Sequence, residues 1–316
     1  MNEVSYVNPI PRALAHYESE LEQTVARIGI TIARRAFPRI EDISGPARRI
    51  ATLAQLFAAP RSLNDGTTLV IWPALGLLEP SLWRSSQTKA AVFVHDPEPL
   101  RHQIGFGRLA RWIARGPLGS RATLVSHSSD ATRELERRFP RNRILEVAHP
   151  ILSRQTSRAK QPGRVVVAGQ YKPVRDLDLL AELGPLLRSS GYSPLIVGSG
   201  WPPVPGWEVD SRYVPEAELD NYLGSADVVL LPYRRYFQSG ISLRALEQGT
   251  LTVGSRTAFA ERMFGATSPL IVEQKADAAT WMKAIEQVST VDSSVVFSEY
   301  VTYCDTTWRA FLLDLE

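Results

Sequence analysis

The stretch DVVLLPYRRYFQSGISLRALEQGTLTVGS, residues 227–255, decides the fold. Its apolar run at 228–231 is short, rich in β-branched residues and ended by Pro232, which is typical of a buried strand in a parallel sheet. The polar residues 238–240 then open a helix whose apolar residues recur every three or four positions. A second strand is predicted at 251–253. The strand-helix-strand order indicates an α/β domain.

The beginning of this helix predicts a site for an anion. Gln238, Ser239 and Gly240 stand there, and Ile241 is the first apolar residue inside the helix. The first backbone N–H groups of a helix have no partner within it, and the helix dipole is positive at that end, so a phosphate is expected. Glu247 comes two turns later, where a carboxylate can accept hydrogen bonds from the vicinal hydroxyls of a ribose. The segment therefore predicts a nucleotide site.

The length of 316 residues predicts two domains, because one core rarely serves so long a chain. Strands and helices alternate throughout, so we expect two Rossmann-like, doubly wound domains that face a cleft. The polar stretch at 153–163 is interpreted as a linker, which divides the chain into domains at 1–155 and 156–316. The final helix, predicted at 293–315, is long enough to cross back to the first domain.

Further elements follow from apolar periodicity and turn residues. We predict strands at 3–8, 68–73, 90–95, 122–126, 144–148, 164–168, 194–197, 212–214 and 270–272. We predict helices at 128–139, 176–187, 215–223 and 276–288.

Composition and the N-terminus exclude several classes of protein. No apolar run approaches the roughly 18 residues that span a bilayer, and the first residues lack the pattern of a secretion signal, so a cytoplasmic location is expected. Cys304 is the only cysteine, which rules out an internal disulfide and a thiolate metal cluster. No other metal-ligand spacing is present, so we expect neither a metal nor a cofactor.

The net charge of +3 conceals an asymmetry between the two halves. Residues 1–160 hold 23 Lys and Arg against 14 Asp and Glu, whereas residues 161–316 hold 13 against 19. Arginine clusters in the first half predict contact with the inner face of an anionic membrane or with an anionic acceptor; a solvated basic surface is the alternative. These clusters are Arg34 with Arg35, Arg48 with Arg49, and Arg108 with Arg111 and Arg115. Nucleic-acid binding is not expected, because no nucleic-acid motif accompanies them.

Two loops that follow predicted strands of the second half carry candidate binding residues. Gly169 permits a tight turn, and Lys172 and Arg175 then place two cations where a diphosphate could be held. Gly198 begins a Gly-Ser-Gly turn that leaves room for a flat base or a ribose. A solvated basic loop is the simpler interpretation of the first of these two loops.

Histidine and aspartate provide two further candidates. His95 follows an apolar strand and can donate a hydrogen bond to a sugar hydroxyl, or act as a base if Asp96 orients it. The interpretation for His102, His127 and His149 is structural. Asp176 and Asp178 match the Asp-x-Asp pattern of metal-dependent sugar transferases. Because they open a helix, capping explains them better than metal binding.

Together these segments resemble the donor domain of GT-B glycosyltransferases, in the broad group related to family 4. The resemblance is carried by GQYKPVRDLDLL at 169–180, LIVGSG at 195–200, YVPEAELDNYLGSADVVLLPYR at 213–234 and QSGISLRALEQGTLTVGS at 238–255. In the first half only VFVHDP at 92–97 is similar. These motifs are specific jointly, in this order.

The resemblance implies a role for each matching residue. Lys172 and Arg175 would neutralise the diphosphate of the donor, Glu247 would bind its ribose, and His95 would face the transferred sugar. The amides of Ser239, Gly240 and Ile241 would also bind the diphosphate. Other residues implied in the donor site are Gly169, Gly198, Pro232, Tyr233 and Gln238. Such enzymes usually need no metal, because cations and a helix N-terminus stabilise the departing nucleoside diphosphate.

The resemblance implies transfer of a sugar from a nucleoside-diphosphate sugar to a saccharide or lipid-linked acceptor, in polysaccharide or glycoconjugate synthesis. Retention of anomeric configuration is preferred by analogy. Many relatives carry two acids eight residues apart, but Ser239 occupies the first of these positions here. Two alternatives stay open: a catalytically inactive GT-B subunit that binds a partner transferase, which Ser239 favours, and a nucleotide-sugar epimerase, against which the missing acid counts.

Overall fold

The computed structural model describes residues 3–35, 66–73, 75–81, 88–98, 105–115, 122–155 and 158–315. Two compact units make up the chain: Met1–Leu152 together with Tyr303–Glu316, and Ser153–Thr302. Arg48, Arg49 and His102 lie outside the described residues. No helix within the described ranges combines the length and apolar character that crossing a bilayer requires.

The first unit is built on a sheet of six described strands, all parallel. In chain order they are β1 (Glu3–Val7), β2 (Thr31–Arg34), β3 (Gly66–Val70), β4 (Thr88–Phe93), β5 (Thr123–Ser126) and β6 (Ile144–Glu146). Their order in the sheet is β2-β1-β3-β4-β5-β6. Val92 and Leu124, both fully buried, lie in its apolar core.

Three described α-helices accompany this sheet: α1 (Ala15–Arg27), α2 (Arg108–Arg115) and α3 (Ser129–Arg138). Leu21 and Val25, four residues apart, are the fully buried apolar side chains of α1. Ser128 caps α3, as its Oγ accepts a hydrogen bond from the amide of Ala131. A 3₁₀ helix spans Gly76–Ser81.

The second unit contains another sheet of six described parallel strands. They are β7 (Arg164–Ala168), β8 (Ser193–Val197), β9 (Glu208–Asp210), β10 (Val228–Leu231), β11 (Thr252–Ser255) and β12 (Ile271–Val272). Their order is β12-β11-β10-β7-β8-β9, so the chain reverses its direction across the sheet between β7 and β10. In open α/β sheets such a switch point is where ligands bind.

The helices of this part of the chain are α4 (Leu177–Ser189), α5 (Glu216–Ser225), α6 (Gly240–Glu247), α7 (Ala258–Phe264), α8 (Ala278–Glu286) and α9 (Ser293–Asp314). Polar side chains that accept an amide hydrogen bond cap four of them; the capping residues are Asp176, Ser239, Thr257 and Asp277. From Tyr303 onward, α9 belongs to the first unit. There its Trp308 stacks on Phe93 of β4, with ring centroids 5.9 Å apart. The predicted crossing of the last helix is confirmed.

The α/β class with two parallel sheets is confirmed, but two strand predictions are wrong. The predicted strand at 212–214 lies outside the sheet. The strand that pairs with β8 is β9, which begins four residues before the predicted start. As an edge strand, β9 lacks the apolar run that marks a central strand. β2 was not predicted, for the same reason. The polar stretch at 153–163 forms part of the second unit, where the amide of Gln161 donates to the carbonyl of Ser225.

Candidate active site

The candidate site lies in the second unit, at the carboxyl end of β7 and beside the switch point. The loop from Gly169 to Arg175 follows β7, and Pro232 and Tyr233 follow β10. Two backbone hydrogen bonds join these segments, from the amide of Asp176 to the carbonyl of Pro232 and from the amide of Arg234 to that of Val174. The two loops are therefore held side by side.

Arg175 is the centre of this arrangement. Its side chain is buried, with 3% of the residue exposed, and its Nη2 donates to the carbonyl of Ala168 at 2.7 Å. The guanidinium carbon lies 4.8 Å from the ring centroid of Trp201 and 4.6 Å from that of Tyr233. Both distances are within the range of cation–π attraction. The two aromatic rings hold the guanidinium in place.

No carboxylate among the described residues forms an ion pair with Arg175, and its buried Nε has no hydrogen-bond partner there. Burial lowers the pKa of Arg175, while the nearby Tyr233 raises it. A guanidinium remains charged even so. Buried charges are normally paired, because an isolated charge is costly to remove from water. An anionic ligand would supply the missing counter-charge.

Two glycines allow the backbone to approach this cation. Gly169 has φ of +95°, and a Cβ there would lie 3.1 Å from Nη2 of Arg175 and 3.8 Å from Cδ1 of Ile241. Gly198 has φ of +136°, and a Cβ there would lie 2.4 Å from the carbonyl oxygen of Gly169. Any larger residue at either position would disturb the loop. The indole N–H of Trp201 donates to the same carbonyl of Gly169 at 2.8 Å.

Lys172 adds a second positive charge to the loop. Its carbonyl accepts the amide of Arg175 at 2.9 Å, so the two residues belong to one turn. Lys172 is half-buried, and its ammonium contacts no hydrogen-bond or ion-pair partner within the described ranges. Asp176 caps α4. Arg234 forms ion pairs with Asp176 at 3.0 Å and with Asp178 at 2.7 Å. Capping by Asp176 is confirmed.

The start of α6 carries the predicted amides. Ser239 is the N-cap, and its Oγ accepts a hydrogen bond from the amide of Ser242 at 3.2 Å. The amides of Ser239, Gly240 and Ile241 donate to no acceptor in the part of the chain that the structure describes. Gln238, half-buried, precedes the cap. These amides remain available to an anion.

Glu247 is the last residue of α6 and is fully buried. The rise of an α-helix places it about 10 Å along the axis from Gly240. Its carbonyl accepts a hydrogen bond from the amide of Gln155 at 2.8 Å. Glu247 thus lies at the opposite end of α6 from the three amides.

His95 lies in the first unit, two residues beyond β4. Its ring is buried, and Nε2 lies 2.8 Å from the carbonyl oxygen of Ile71, so Nε2 carries the proton. The ring stacks on Trp72 and meets the edge of Tyr17. Burial lowers the pKa of His95 to about 4. The imidazole is therefore neutral at physiological pH.

His95 is one of three neighbouring buried histidines. The ring centroid of His127 lies 5.3 Å from that of His95 and 4.9 Å from that of His149. Nε2 of His127 accepts the hydroxyl of Tyr17 at 3.0 Å, and its Nδ1 donates to the carbonyl of Val147. Each histidine follows a different strand, β4, β5 or β6, at the carboxyl edge of the sheet. His127 and His149 share the environment of His95.

The structure brings together seven of the predicted residues: Gly169, Lys172, Arg175, Gly198, Pro232, Tyr233 and Ile241. Trp201 was not among the predicted residues, although its ring faces Arg175. A signal was present in the sequence, because Trp201 directly follows the turn at 198–200, at the carboxyl end of β8. Aromatic residues beside a loop with two cations are candidates for cation–π contact.

Glycosyltransferases of known structure are similar to this chain in fold, although comparison by sequence gives no match. A scan against protein-family models gives no match, and neither does a search of curated proteins. TarM superposes with a TM-score of 0.62 at 12% identity, over 83% of this chain and 58% of TarM. Sucrose-phosphate synthase (tll1590) from Thermosynechococcus elongatus gives a TM-score of 0.61 at 12% identity, over 100% of this chain and 97% of that one.

A trehalose-6-phosphate protein from E. coli, solved with UDP-2-fluoro glucose, gives a TM-score of 0.64 at 12% identity, over 99% of this chain and 98% of that one. Identity this low shows the fold alone. The fold is that of these proteins: two parallel α/β units, the GT-B class.

Proposed function

We propose that this protein is a glycosyltransferase that moves a sugar from a nucleoside-diphosphate sugar to a saccharide or lipid-linked acceptor. The donor binds to the second unit and the acceptor to the first. Polysaccharide or glycoconjugate synthesis is the proposed setting, at the cytoplasmic face of a membrane. A relation to family 4 is also proposed, on the four motifs of the second unit.

The observation that carries the proposal is the buried guanidinium of Arg175, which pairs with no carboxylate in the part of the chain that the structure describes. It lies beside Gly169, where an added Cβ would lie 3.8 Å from Cδ1 of Ile241 at the start of α6. Lys172 supplies a second cation from the same turn. A diphosphate would meet both positive charges and the amides of α6, and charge-assisted hydrogen bonds of this kind are the strong ones. UDP-2-fluoro glucose is the ligand of the E. coli protein of similar fold.

These groups also explain how the reaction would proceed. The bond between the anomeric carbon and the β-phosphate oxygen breaks, and negative charge develops on the departing diphosphate. Lys172, Arg175 and the helix amides stabilise that charge without a metal ion. Removing one well-placed donor of this kind typically costs about 3 kcal/mol of transition-state stabilisation. A hydroxyl of the acceptor gives its proton to solvent or to phosphate oxygen and bonds to the anomeric carbon, with retention of configuration.

His95 is proposed to contact the transferred sugar, and its tautomer determines whether the ring donates or accepts the hydrogen bond. Because Nε2 donates to the carbonyl of Ile71, Nδ1 is the unprotonated nitrogen and accepts rather than donates. A depressed pKa makes it a weak base. We therefore assign His95 to positioning a sugar hydroxyl, and Glu247 to the ribose.

Release of nucleoside diphosphate from a panel of nucleotide sugars tests the proposal, with soluble saccharides or lipid-linked saccharides as acceptors. The wild type should release diphosphate from at least one donor, while Arg175→Met and Glu247→Gln should lower kcat/KM by roughly 100-fold. Unchanged thermal unfolding would show that both variants are folded.

The residue at position 239 bears on the choice between a transferase and an inactive subunit. It is a serine whose hydroxyl caps α6, and it offers no carboxylate to the sugar. Binding of nucleotide sugar without any turnover, across the whole panel, would favour the inactive partner subunit. Interconversion of two nucleotide sugars without an acceptor would instead identify an epimerase.

A further inference from the structure

Helix α2, with the sequence RLARWIAR at 108–115, exposes large apolar side chains to solvent. Leu109 is 69% exposed and Trp112 is 70% exposed, whereas Ala110 and Ala114 are buried. With 3.6 residues per turn, Leu109 and Trp112 occupy adjacent positions on one strip of the helix. The helix therefore packs through two alanines and presents its larger apolar residues outward. Adjacent exposed apolar side chains, unlike scattered single ones, mark a candidate interaction surface.

A second strip of α2 is basic. Arg108, Arg111 and Arg115 recur at intervals of three and four residues, so they share the side next to Trp112. All three are exposed, and none has an ion-pair partner among the described residues. By contrast, Arg34 pairs with Glu18 at 3.4 Å. Arg35 donates to the hydroxyl of Ser5. Among the described residues, α2 thus carries three exposed arginines without an ion pair on one strip of a helix.

We propose that the outer face of α2 docks on an anionic lipid bilayer, with Leu109 and Trp112 inserted and the three arginines on the headgroups. An exposed helix with apolar and basic strips side by side is the pattern of a helix that lies in the membrane interface. Tryptophan is favoured at that depth because its ring is apolar and its N–H is polar.

This inference rests on the proposed function only for its purpose, which is to bring the acceptor-binding unit to a lipid-linked acceptor. The geometry of α2 belongs to the first unit alone and does not involve Arg175 or any residue of the donor site. The two ideas can therefore fail separately.

Co-sedimentation of the full chain with vesicles tests the proposal. One set of vesicles contains phosphatidylcholine alone, and the other also contains phosphatidylglycerol, because the negative surface of an anionic membrane attracts basic segments. The wild type should bind the anionic vesicles and lose affinity as salt increases. Leu109→Ser with Trp112→Ser should weaken binding at least about tenfold. Replacing the three arginines of α2 with Gln should weaken it on the order of 100-fold, about fivefold for each.

Matched controls remove equivalent groups elsewhere on the first unit. Leu313→Ser removes another apolar side chain that is 68% exposed. The triple replacement of Arg133, Arg137 and Arg309 with Gln removes the same charge from exposed positions, two of which pair with Asp130 and Glu134. Both controls should bind vesicles within about twofold of the wild type, because lipid affinity requires the charges to lie near the bilayer.

Three results would overturn the proposal. In the first, the variant lacking Leu109 and Trp112 binds anionic vesicles as tightly as the wild type, which would show that no apolar insertion occurs. In the second, the variant lacking Leu109 and Trp112 again binds the anionic vesicles like the wild type, and a soluble polyanion such as heparin abolishes this binding completely. In the third, the wild type binds neither vesicle but forms a dimer that Trp112→Ser dissociates, which would make α2 a contact between copies. Nucleotide binding by calorimetry, measured in parallel, reports on the donor site independently.

Discussion

The guanidinium of Arg175 lies 4.8 Å from the ring centroid of Trp201, and the indole N–H of Trp201 donates to the carbonyl of Gly169. One side chain thus contacts both the cation and the glycine that lets the backbone pass close to it. Tyr233 covers another side of the guanidinium, at 4.6 Å. Among the described residues, Arg175 is held by aromatic rings and pairs with no carboxylate, so its charge is left for a ligand.

Trp201 should act as a positioning residue for Arg175. We expect Trp201→Leu to weaken nucleoside-diphosphate binding about tenfold, because the guanidinium loses a cation–π partner worth roughly 1–2 kcal/mol. Trp201→Phe keeps a ring and should lose less. Calorimetry with a nucleoside diphosphate and with the free nucleoside checks this, since only the diphosphate should respond.

Trp207 offers a matched control for that experiment. It is buried in the same unit, and its indole N–H also donates to a backbone carbonyl, that of Leu180 at 2.7 Å. Trp207→Phe should lower the midpoint of thermal unfolding but leave diphosphate affinity unchanged. Equal losses of diphosphate affinity in the Trp201 and Trp207 variants would mean that Trp201 acts only through stability.

Gly169→Ala should disturb Arg175 as well as the backbone. A Cβ at Gly169 would lie 3.1 Å from Nη2, and φ is +95°, a conformation that non-glycine residues rarely adopt. We expect a loss of about 1–3 kcal/mol in the free energy of unfolding, together with weaker diphosphate binding. Gly191→Ala is the control, since φ there is +83° but nothing lies within 4 Å of its Cβ. Gly191→Ala should lower the free energy of unfolding and keep the diphosphate affinity. If Gly191→Ala weakened diphosphate binding and Gly169→Ala did not, the proposed closeness of Gly169 to the bound anion would be contradicted.

Acidification should destabilise the first unit through its buried histidines. Burial lowers the pKa of His95 to about 4 and that of His149 to about 3, and it lowers that of His127 as well. Above pH of about 6.5 the histidines are neutral in both states and contribute nothing to the pH dependence. Below it the unfolded chain binds protons that the folded chain does not, so the free energy of unfolding falls as pH drops from about 6.5 toward 4.

Each such histidine contributes a slope of up to about 1.4 kcal/mol per pH unit. Denaturant unfolding between pH 7.5 and 4.5 measures it. His127→Phe should flatten the slope, because it removes one of the three buried histidines. A wild-type stability that does not change over this interval would contradict the neutral state of the buried histidines.

Central strands and the helix starts could be predicted from the sequence because their signals are local. The apolar run of β10 is ended by Pro232, and the polar residues predicted to open a helix at 238–240 include Gly240, where α6 begins. β9 and β2 could not, because an edge strand is half exposed and its pairing depends on neighbours distant in sequence.

The same limit applies to the candidate site. Lys172 and Arg175 could be predicted as site residues because they lie in a loop directly after a strand. The contact of Arg175 with Trp201 could not, because it joins residues 26 positions apart that only the fold brings together. The clustering of His95 with His127 and His149 likewise depends on which strands are neighbours in the sheet. Sequence periodicity carries no information about such contacts.

Calorimetric titration of Arg175→Met with a nucleoside diphosphate, beside Arg244→Met, tests the central claim most directly. Both arginines are buried, but Arg244 pairs with Asp220 at 2.6 Å, whereas Arg175 pairs with no carboxylate among the described residues. Arg175→Met should bind the diphosphate at least about 30-fold more weakly and unfold at the wild-type temperature or above, because an unpaired buried charge is replaced by an apolar group. Arg244→Met should lose stability and keep its affinity. Wild-type affinity in Arg175→Met, or a marked fall in its unfolding temperature, would show that the charge of Arg175 serves the fold and not a bound diphosphate.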